Sequence, residues 1–237
     1  MATIESRLQQ VRQRIDAACA AAGRPAQSVT LLAVSKTCAA ERVREAHAAG
    51  QTRFGENYVQ EALAKIERLA ELRGRIEWHL IGPLQSNKTR AVAEHFDWVH
   101  SVDRLKLAER LSAQRPPHLP PLQVCLQVNI DAEASKSGLA PAEVAAVAHA
   151  VARLPGLRLR GLMAIPEPAA EVGAQRRPHR ALCALLDALQ RDGLGVDTLS
   201  MGMSADLEAA VAEGATVVRV GTAIFGERTN GGPGTAA

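Results

Sequence analysis

Apolar and polar positions change period repeatedly along this chain of 237 residues. Near the start, Ile4, Leu8, Val11, Ile15 and Cys19 recur at steps of three and four. That spacing predicts an amphipathic helix ending at Gly23. Compact apolar runs with strand character follow at VTLLAVS (29–35), TRFG (52–55), IEWHLIG (76–82), WVHSV (98–102), LQVCLQVNI (122–130), LRLRGLMAI (157–165), DTLSMG (197–202) and TVVRVGTAIFG (216–226). Between them lie Ala- and Leu-rich stretches of helical period. AERVREAHAAG offers Gly50 as a C-cap, and APAEVAAVAHAVARL carries Pro141 where a first helical turn accepts proline.

Strands alternating with helices predict a mostly parallel sheet with helical crossovers. Eight such units in 237 residues point to an α/β fold, a closed (β/α)8 TIM barrel preceded by the N-terminal helix; about 250 residues is usual for that fold. A doubly wound open sheet is the structural alternative, weakened by the absence of a GxGxxG turn after the first strand. No linker divides the chain, so residues 1–228 are expected to form one domain. The tail TNGGPGTAA (229–237) lacks apolar periodicity and is expected to be disordered.

Composition removes several classes of function. The net charge is +3 and the basic residues are dispersed, without the clustered stripe and stacking aromatics of a nucleic-acid binder. The cysteines (Cys19, Cys38, Cys125, Cys183) form no CxxC pair, which argues for a reducing cytoplasm and against a thiolate metal site. The histidines show no HxH or HExxH spacing, so no metal is expected. The N-terminal segment contains Glu5 and Asp16 and lacks the apolar core of a signal peptide. No stretch approaches the roughly 20 apolar residues of a membrane span. A cytoplasmic monomer is the expectation.

In a TIM barrel, chemistry gathers where strands end at their C-terminal edge. Lys36 stands at the end of the first strand, in a chain with 5 lysines among its 28 basic residues. A partly desolvated lysine loses its proton readily and can attack an aldehyde to form a Schiff base, which arginine cannot do. Ser200, Gly202 and Ser204 follow the seventh strand, and Gly221 and Thr222 follow the eighth. Small residues and hydroxyls at those two ends suit a phosphate. Arg219, flanked by valines, requires a partner, either a carboxylate or a ligand. Schiff-base lysine, phosphate cradle and buried arginine together describe a pocket for pyridoxal 5'-phosphate, PLP. GPLQSNKT (82–89) falls short of a nucleotide-binding loop because Asn87 replaces its second glycine. His79 is either a core histidine or a pocket wall, with the wall preferred.

LLAVSKT, RFGENYVQE, WHLIGPLQSNK, ASKSG, RGLMAIP, LSMGMSADLEAAV and VRVGTAIFGER, in unbroken order from about residue 4 to 228, resemble the pyridoxal phosphate homeostasis proteins. The resemblance implies a barrel similar to the N-terminal domain of alanine racemase, with Lys36 as Schiff-base lysine and Arg219 near the pyridine nitrogen. It further implies that Ser200, Ser204, Gly221 and Thr222 hold the phosphate and that Asn57 lines the pocket. Cys38 departs from the lysine or other polar residue expected there. The implied function is to hold PLP and deliver it to PLP-dependent apoenzymes without substantial turnover. A racemase needs a second acid/base on the opposite face of the substrate carbon. The sequence ends where the barrel closes and its one tyrosine is Tyr58. Tyr58, Glu56 or Asp131 could still serve that role, so a small PLP-dependent amino-acid racemase is the alternative. A cofactor-free Schiff-base aldolase and an interaction protein with a vestigial pocket are further ones.

Overall fold

In the computed structural model, residues 2–133 and 136–226 are described; the segment 229–237 and part of ASKSG lie outside them. Among those residues, eight parallel strands close on themselves in sequence order. They are β1 (Thr30–Val34), β2 (Arg53–Glu56), β3 (Glu77–Leu80), β4 (Trp98–Val102), β5 (Leu122–Gln127), β6 (Leu157–Met163), β7 (Thr198–Ser200) and β8 (Val217–Val220). The joining pair is β8 with β1, where Leu32 faces Arg219 and Ala33 faces Val220. Closure rules out the open sheet.

The helices are α1 (Ile4–Ala21), α2 (Ala40–Ala48), α3 (Val59–Arg68), α4 (Thr89–His95), α5 (Leu105–Gln114), α6 (Val144–Val151), α7 (Val172–Arg191), α8 (Leu207–Ala212) and α9 (Thr222–Phe225). The last corrects the eighth apolar run. The apolar run 216–226 holds the eighth strand with Gly221 and Thr222 following it, as expected, but the rest of the run, counted with the strand, coils into α9. Periodicity cannot separate a short buried strand from a short buried turn of helix. The N-terminal helix stops as expected: Gly23 takes a left-handed φ of 67° just beyond its end. Its buried face is Ile4, Leu8, Val11, Ile15, Ala18 and Cys19.

Two apolar layers result from strand alternation. Leu31, Ala33, Phe54, Trp78, Leu80 and their equivalents join the helices in the main core. Leu32, Val34, Ile81 and Val217 pack together inside the barrel, as do Trp98, Cys125 and Met163. The interior also holds buried polar groups, namely His79, His100, Ser200 and Arg219. Among the described residues no helix is long and apolar enough to cross a membrane.

Candidate functional site

Strand β1 delivers Lys36 to the barrel mouth through a turn that is fixed from outside. Ser35 donates its amide to the Gly55 carbonyl at 2.9 Å and its hydroxyl to Glu56 Oε1 at 2.6 Å. Lys65 of α3 then gives hydrogen bonds to the Ser35 carbonyl (2.6 Å), Glu56 Oε1 (2.8 Å) and Glu61 Oε1 (2.6 Å). The amide of Thr37 donates to the same Glu61 oxygen at 2.6 Å. Thr37 sits at φ 63°, a left-handed conformation costly for a β-branched residue, which this carboxylate helps to hold. Burial pushes the Glu56 carboxyl up, against the pull of Lys65. Lys36 itself is half-buried.

Arg219 lies fully inside the barrel. Its Nη1 donates to the Ser200 carbonyl (2.6 Å) and hydroxyl (2.8 Å), and its Nη2 donates to the Ala164 carbonyl (2.8 Å). Desolvation lowers its pKa to about 10, with Asp206 and Cys125 opposing. The guanidinium therefore stays charged at neutral pH. Among the described residues no carboxylate forms an ion pair with it. Of the two partners open to it from sequence, the protein supplies neutral carbonyl and hydroxyl oxygens instead of a carboxylate.

The remaining predicted residues fall on strand ends adjacent to β1. Because β8 pairs with β1, the Gly221–Thr222 segment leaves the barrel beside Lys36. A Cβ on Gly221 would come 3.1 Å from the Val34 carbonyl, so the two backbones nearly touch. Thr222 and Ala223 begin α9 and are exposed, and first-turn amides are those a helix leaves without an internal partner. Gly202 and Ser204 follow β7, the other neighbour of β8. Gly202 is in a left-handed conformation and packs under α8, where a Cβ would meet Ala210 at 2.5 Å. Asn57 follows β2, on the opposite flank of β1. Its Oδ1 is buried without a hydrogen-bond partner. The ends of β7, β8, β1 and β2 thus form one contiguous arc of the mouth.

Ser200 differs from the others. Its hydroxyl points into the barrel, where it meets Arg219 and, at 2.7 Å, His100 Nδ1. His79 is 2% exposed and stacks on Trp98 at 5.3 Å, which makes it a core histidine and corrects the preference for a pocket wall. Glu56 is occupied by Ser35 and Lys65, Asp131 accepts the Glu167 amide, and Tyr58 is exposed. Sequence reasoning missed Lys65 and His100. Lys65 carried a signal, since it falls on the buried stripe Val59, Ala62, Ile66 of α3, where a lysine needs a paired charge. The phosphate-loop-like segment folds as a turn over Ser86–Lys88 leading into α4.

The amine, the guanidinium and the orphaned amide oxygen share a mouth with two loops rich in small residues. That arrangement can accept a phosphorylated aldehyde. Comparison with known proteins gives the same direction. The family model "Alanine racemase, N-terminal domain" matches residues 6–229. The pyridoxal phosphate homeostasis protein of Pseudomonas aeruginosa is 62% identical over 98% of this chain and 99% of its own. The protein of the same name from Escherichia coli K12 is 55% identical over 96% and 98%. Among solved structures, PipY of Synechococcus elongatus with PLP bound superposes with a TM-score of 0.83 at 41% identity, covering 94% of this chain and all of that one. The chain belongs to the alanine racemase N-terminal-domain family and, within it, to the pyridoxal phosphate homeostasis proteins.

Proposed function

We propose that this protein binds pyridoxal 5'-phosphate covalently on Lys36 and serves intracellular PLP homeostasis, without substantial turnover. The observation that carries the proposal is the arc of strand ends that brings Lys36, Gly221–Thr222 and Ser204 together on one side of the mouth. PLP, when bound, supplies an aldehyde for the lysine amine and an electron-withdrawing ring. Lys36 holds the aldehyde carbon, and Ser204, Gly202, Gly221 and Thr222 receive the phosphate. Arg219 faces the ring from inside the barrel, seated by Ser200. Asn57 Oδ1, buried without a hydrogen-bond partner, supports this reading as an acceptor open to a polar group at the mouth.

Delivery to PLP-dependent apoenzymes is part of the proposal. The exposed large apolar side chains among the described residues are Tyr58, Ile165, Val172 and Met203. All four stand on loops or a helix start at the C-terminal face, after β2, β6 and β7. Apolar groups around the mouth suit contact with a receiving protein. We further place the protein in the cytoplasm, on its free cysteines and the lack of any membrane-crossing helix among the described residues, and infer a monomer.

Intact mass spectrometry after borohydride reduction tests the assignment. One phosphopyridoxyl group per chain on Lys36, absent from Lys36→Ala, is the expected result. An unmodified protein after incubation with PLP overturns it.

A further inference from the structure

Behind Ser200 the hydrogen bonding does not stop. His100 Nδ1 meets Ser200 Oγ at 2.7 Å, His100 Nε2 meets His79 Nδ1 at 2.9 Å, and His79 Nε2 meets Glu77 Oε1 at 2.9 Å. Glu77 opens β3 at the N-terminal mouth, is 38% exposed in its side chain and pairs with Arg53 at 3.1 Å. A single file of groups therefore crosses the barrel interior from the N-terminal mouth to Arg219. Trp98 packs against both rings, at 5.3 Å from His79 and 5.7 Å from His100. The rings are not free to turn.

The carboxylate end and the neutrality of the two buried rings decide the direction of every bond. Arginine can only donate, and an ionised carboxylate can only accept. Arg219 donates to one lone pair of Ser200 Oγ, and the Ser200 hydroxyl proton goes to His100 Nδ1 when that ring is neutral. His100 then carries its proton on Nε2 and gives it to His79 Nδ1. His79 in turn carries its proton on Nε2 and gives it to Glu77. With both rings neutral, only this assignment satisfies all the bonds at once; the other, a doubly protonated His79 donating to both Glu77 and His100, would place a charge in the buried barrel interior. Burial in addition lowers both histidines, and His100 well below its ordinary value. Glu77 is held below its ordinary value: burial opposes its charge, but the hydrogen bonds from His79 and Arg53 and the Arg53 charge outweigh it. Aligned bonds of one direction polarise one another.

We propose that Glu77, His79, His100 and Ser200 are positioning residues for Arg219, forming a one-directional hydrogen-bond chain that sets the cation facing the cofactor from the opposite end of the barrel. The cofactor clause rests on the PLP assignment above; the direction of the chain does not. Its consequence is specific. Replacing the terminal acceptor by another acceptor leaves the pattern intact, whereas replacing it by a donor reverses both rings. With a donor at position 77, His79 accepts on Nε2, donates from Nδ1 to His100, and His100 donates from Nδ1 to Ser200.

Long-range ¹H–¹⁵N NMR of imidazole nitrogens, on cofactor-free protein, is the test. The wild type is expected to show His79 and His100 as neutral Nε2–H tautomers at pH 7. Glu77→Gln should reproduce that spectrum, and Glu77→Lys should convert both rings, including the distant His100, to Nδ1–H. A protonated ring or an Nδ1–H tautomer in the wild type overturns the proposal. So does a Glu77→Lys protein in which His100 is unchanged. Should Glu77→Lys fail to fold, the wild-type tautomers still decide the direction of the chain. With PLP added, the absorption of the bound cofactor should match wild type in Glu77→Gln and shift in Glu77→Lys, with one reducible adduct on Lys36 in each. An unshifted band in a folded, loaded Glu77→Lys protein overturns the link to the cofactor. Loss of the adduct from wild type as well would instead fault the PLP assignment, leaving the tautomer result standing.

Discussion

Lys65 Nζ lies 2.6 Å from the carbonyl oxygen of Ser35, the residue immediately before Lys36. The contact joins a buried ammonium on α3 to the turn that presents the proposed Schiff-base lysine. Lys65 also neutralises Glu56, whose side chain is wholly buried. Removing one partner of a buried pair leaves the other charge uncompensated, which costs about 3–5 kcal/mol. Lys65→Met is therefore expected to lower the urea unfolding free energy by that amount at neutral pH. The loss should shrink in acid. Without Lys65, the carboxyl of Glu56, already raised by burial, binds a proton more readily folded than unfolded. Such a group favours the folded state at low pH and ceases to do so as pH rises. Urea curves at pH 7 and about pH 5, with wild type alongside, provide the check; an equal loss at both would refute the account.

Gly82 faces Asn57 across the β2 and β3 ends. A Cβ there would stand 2.2 Å from the Asn57 carbonyl oxygen and 2.6 Å from its Cα. Both are backbone atoms, so the Asn57 segment has to move. Ser101 holds Gly82 from the other side, donating to its carbonyl at 2.6 Å. Gly82→Ala is expected to cost roughly 1–3 kcal/mol, the usual penalty for overpacking, and to weaken PLP retention. Equilibrium dialysis against PLP beside a urea titration measures both. Retention equal to wild type would show that Asn57 takes no part in holding the cofactor.

Much of the fold was legible because period alone distinguishes a strand from a helix over long segments. The eight strands and the N-terminal helix ending at Gly23 follow from spacing and cap chemistry. The 221–226 segment was not legible, because a four-residue helix leaves no periodic trace. Lys36 and Arg219 stood out as charges beside or within apolar runs. His100 lay inside the apolar run WVHSV, but nothing in that run indicated its partner. Its place depends on Ser200, a hundred residues away, and only barrel closure brings the two within 2.7 Å. Gly202 was visible as a small residue, but its packing beneath Ala210 was not.

Arg219 makes three hydrogen bonds with two nitrogens, a geometry that a single ammonium cannot reproduce from the same strand. Arg219→Lys keeps the charge but abandons part of this set. Each hydrogen bond to a charged group contributes about 1.5–3 kcal/mol, so a loss of at least that size in unfolding free energy is expected. Absorption of added PLP should also shift, since the cation proposed to face its ring is displaced. A variant with wild-type stability and spectrum would mean that Arg219 serves neither role.

Acid sensitivity above the carboxylate range should come from the barrel interior. His79 and His100 are both lowered, chiefly by burial. The charges that act on them are Glu77 and Asp97, which favour protonation of His79, and Arg53 and Arg219, which oppose protonation of one ring each. The unfolded chain takes up protons on these rings near pH 6.5, the ordinary histidine value, while the folded barrel does not. Unfolding is then favoured as pH falls through that range. Each ring that stays neutral contributes a slope approaching about 1.4 kcal/mol per pH unit. Depressed carboxylates, such as Glu77, lose their contribution only at lower pH. Between pH 7 and about 5 the histidine contribution is opposed by that of Glu56, whose raised carboxyl favours the folded state in acid, so His100→Asn is needed to separate the two. Urea unfolding of wild type across that interval should show a decline, and His100→Asn should show a shallower one. Equal slopes in wild type and His100→Asn would mean that His100 is protonated in the folded protein, contrary to its place in the chain from Arg219 to Glu77.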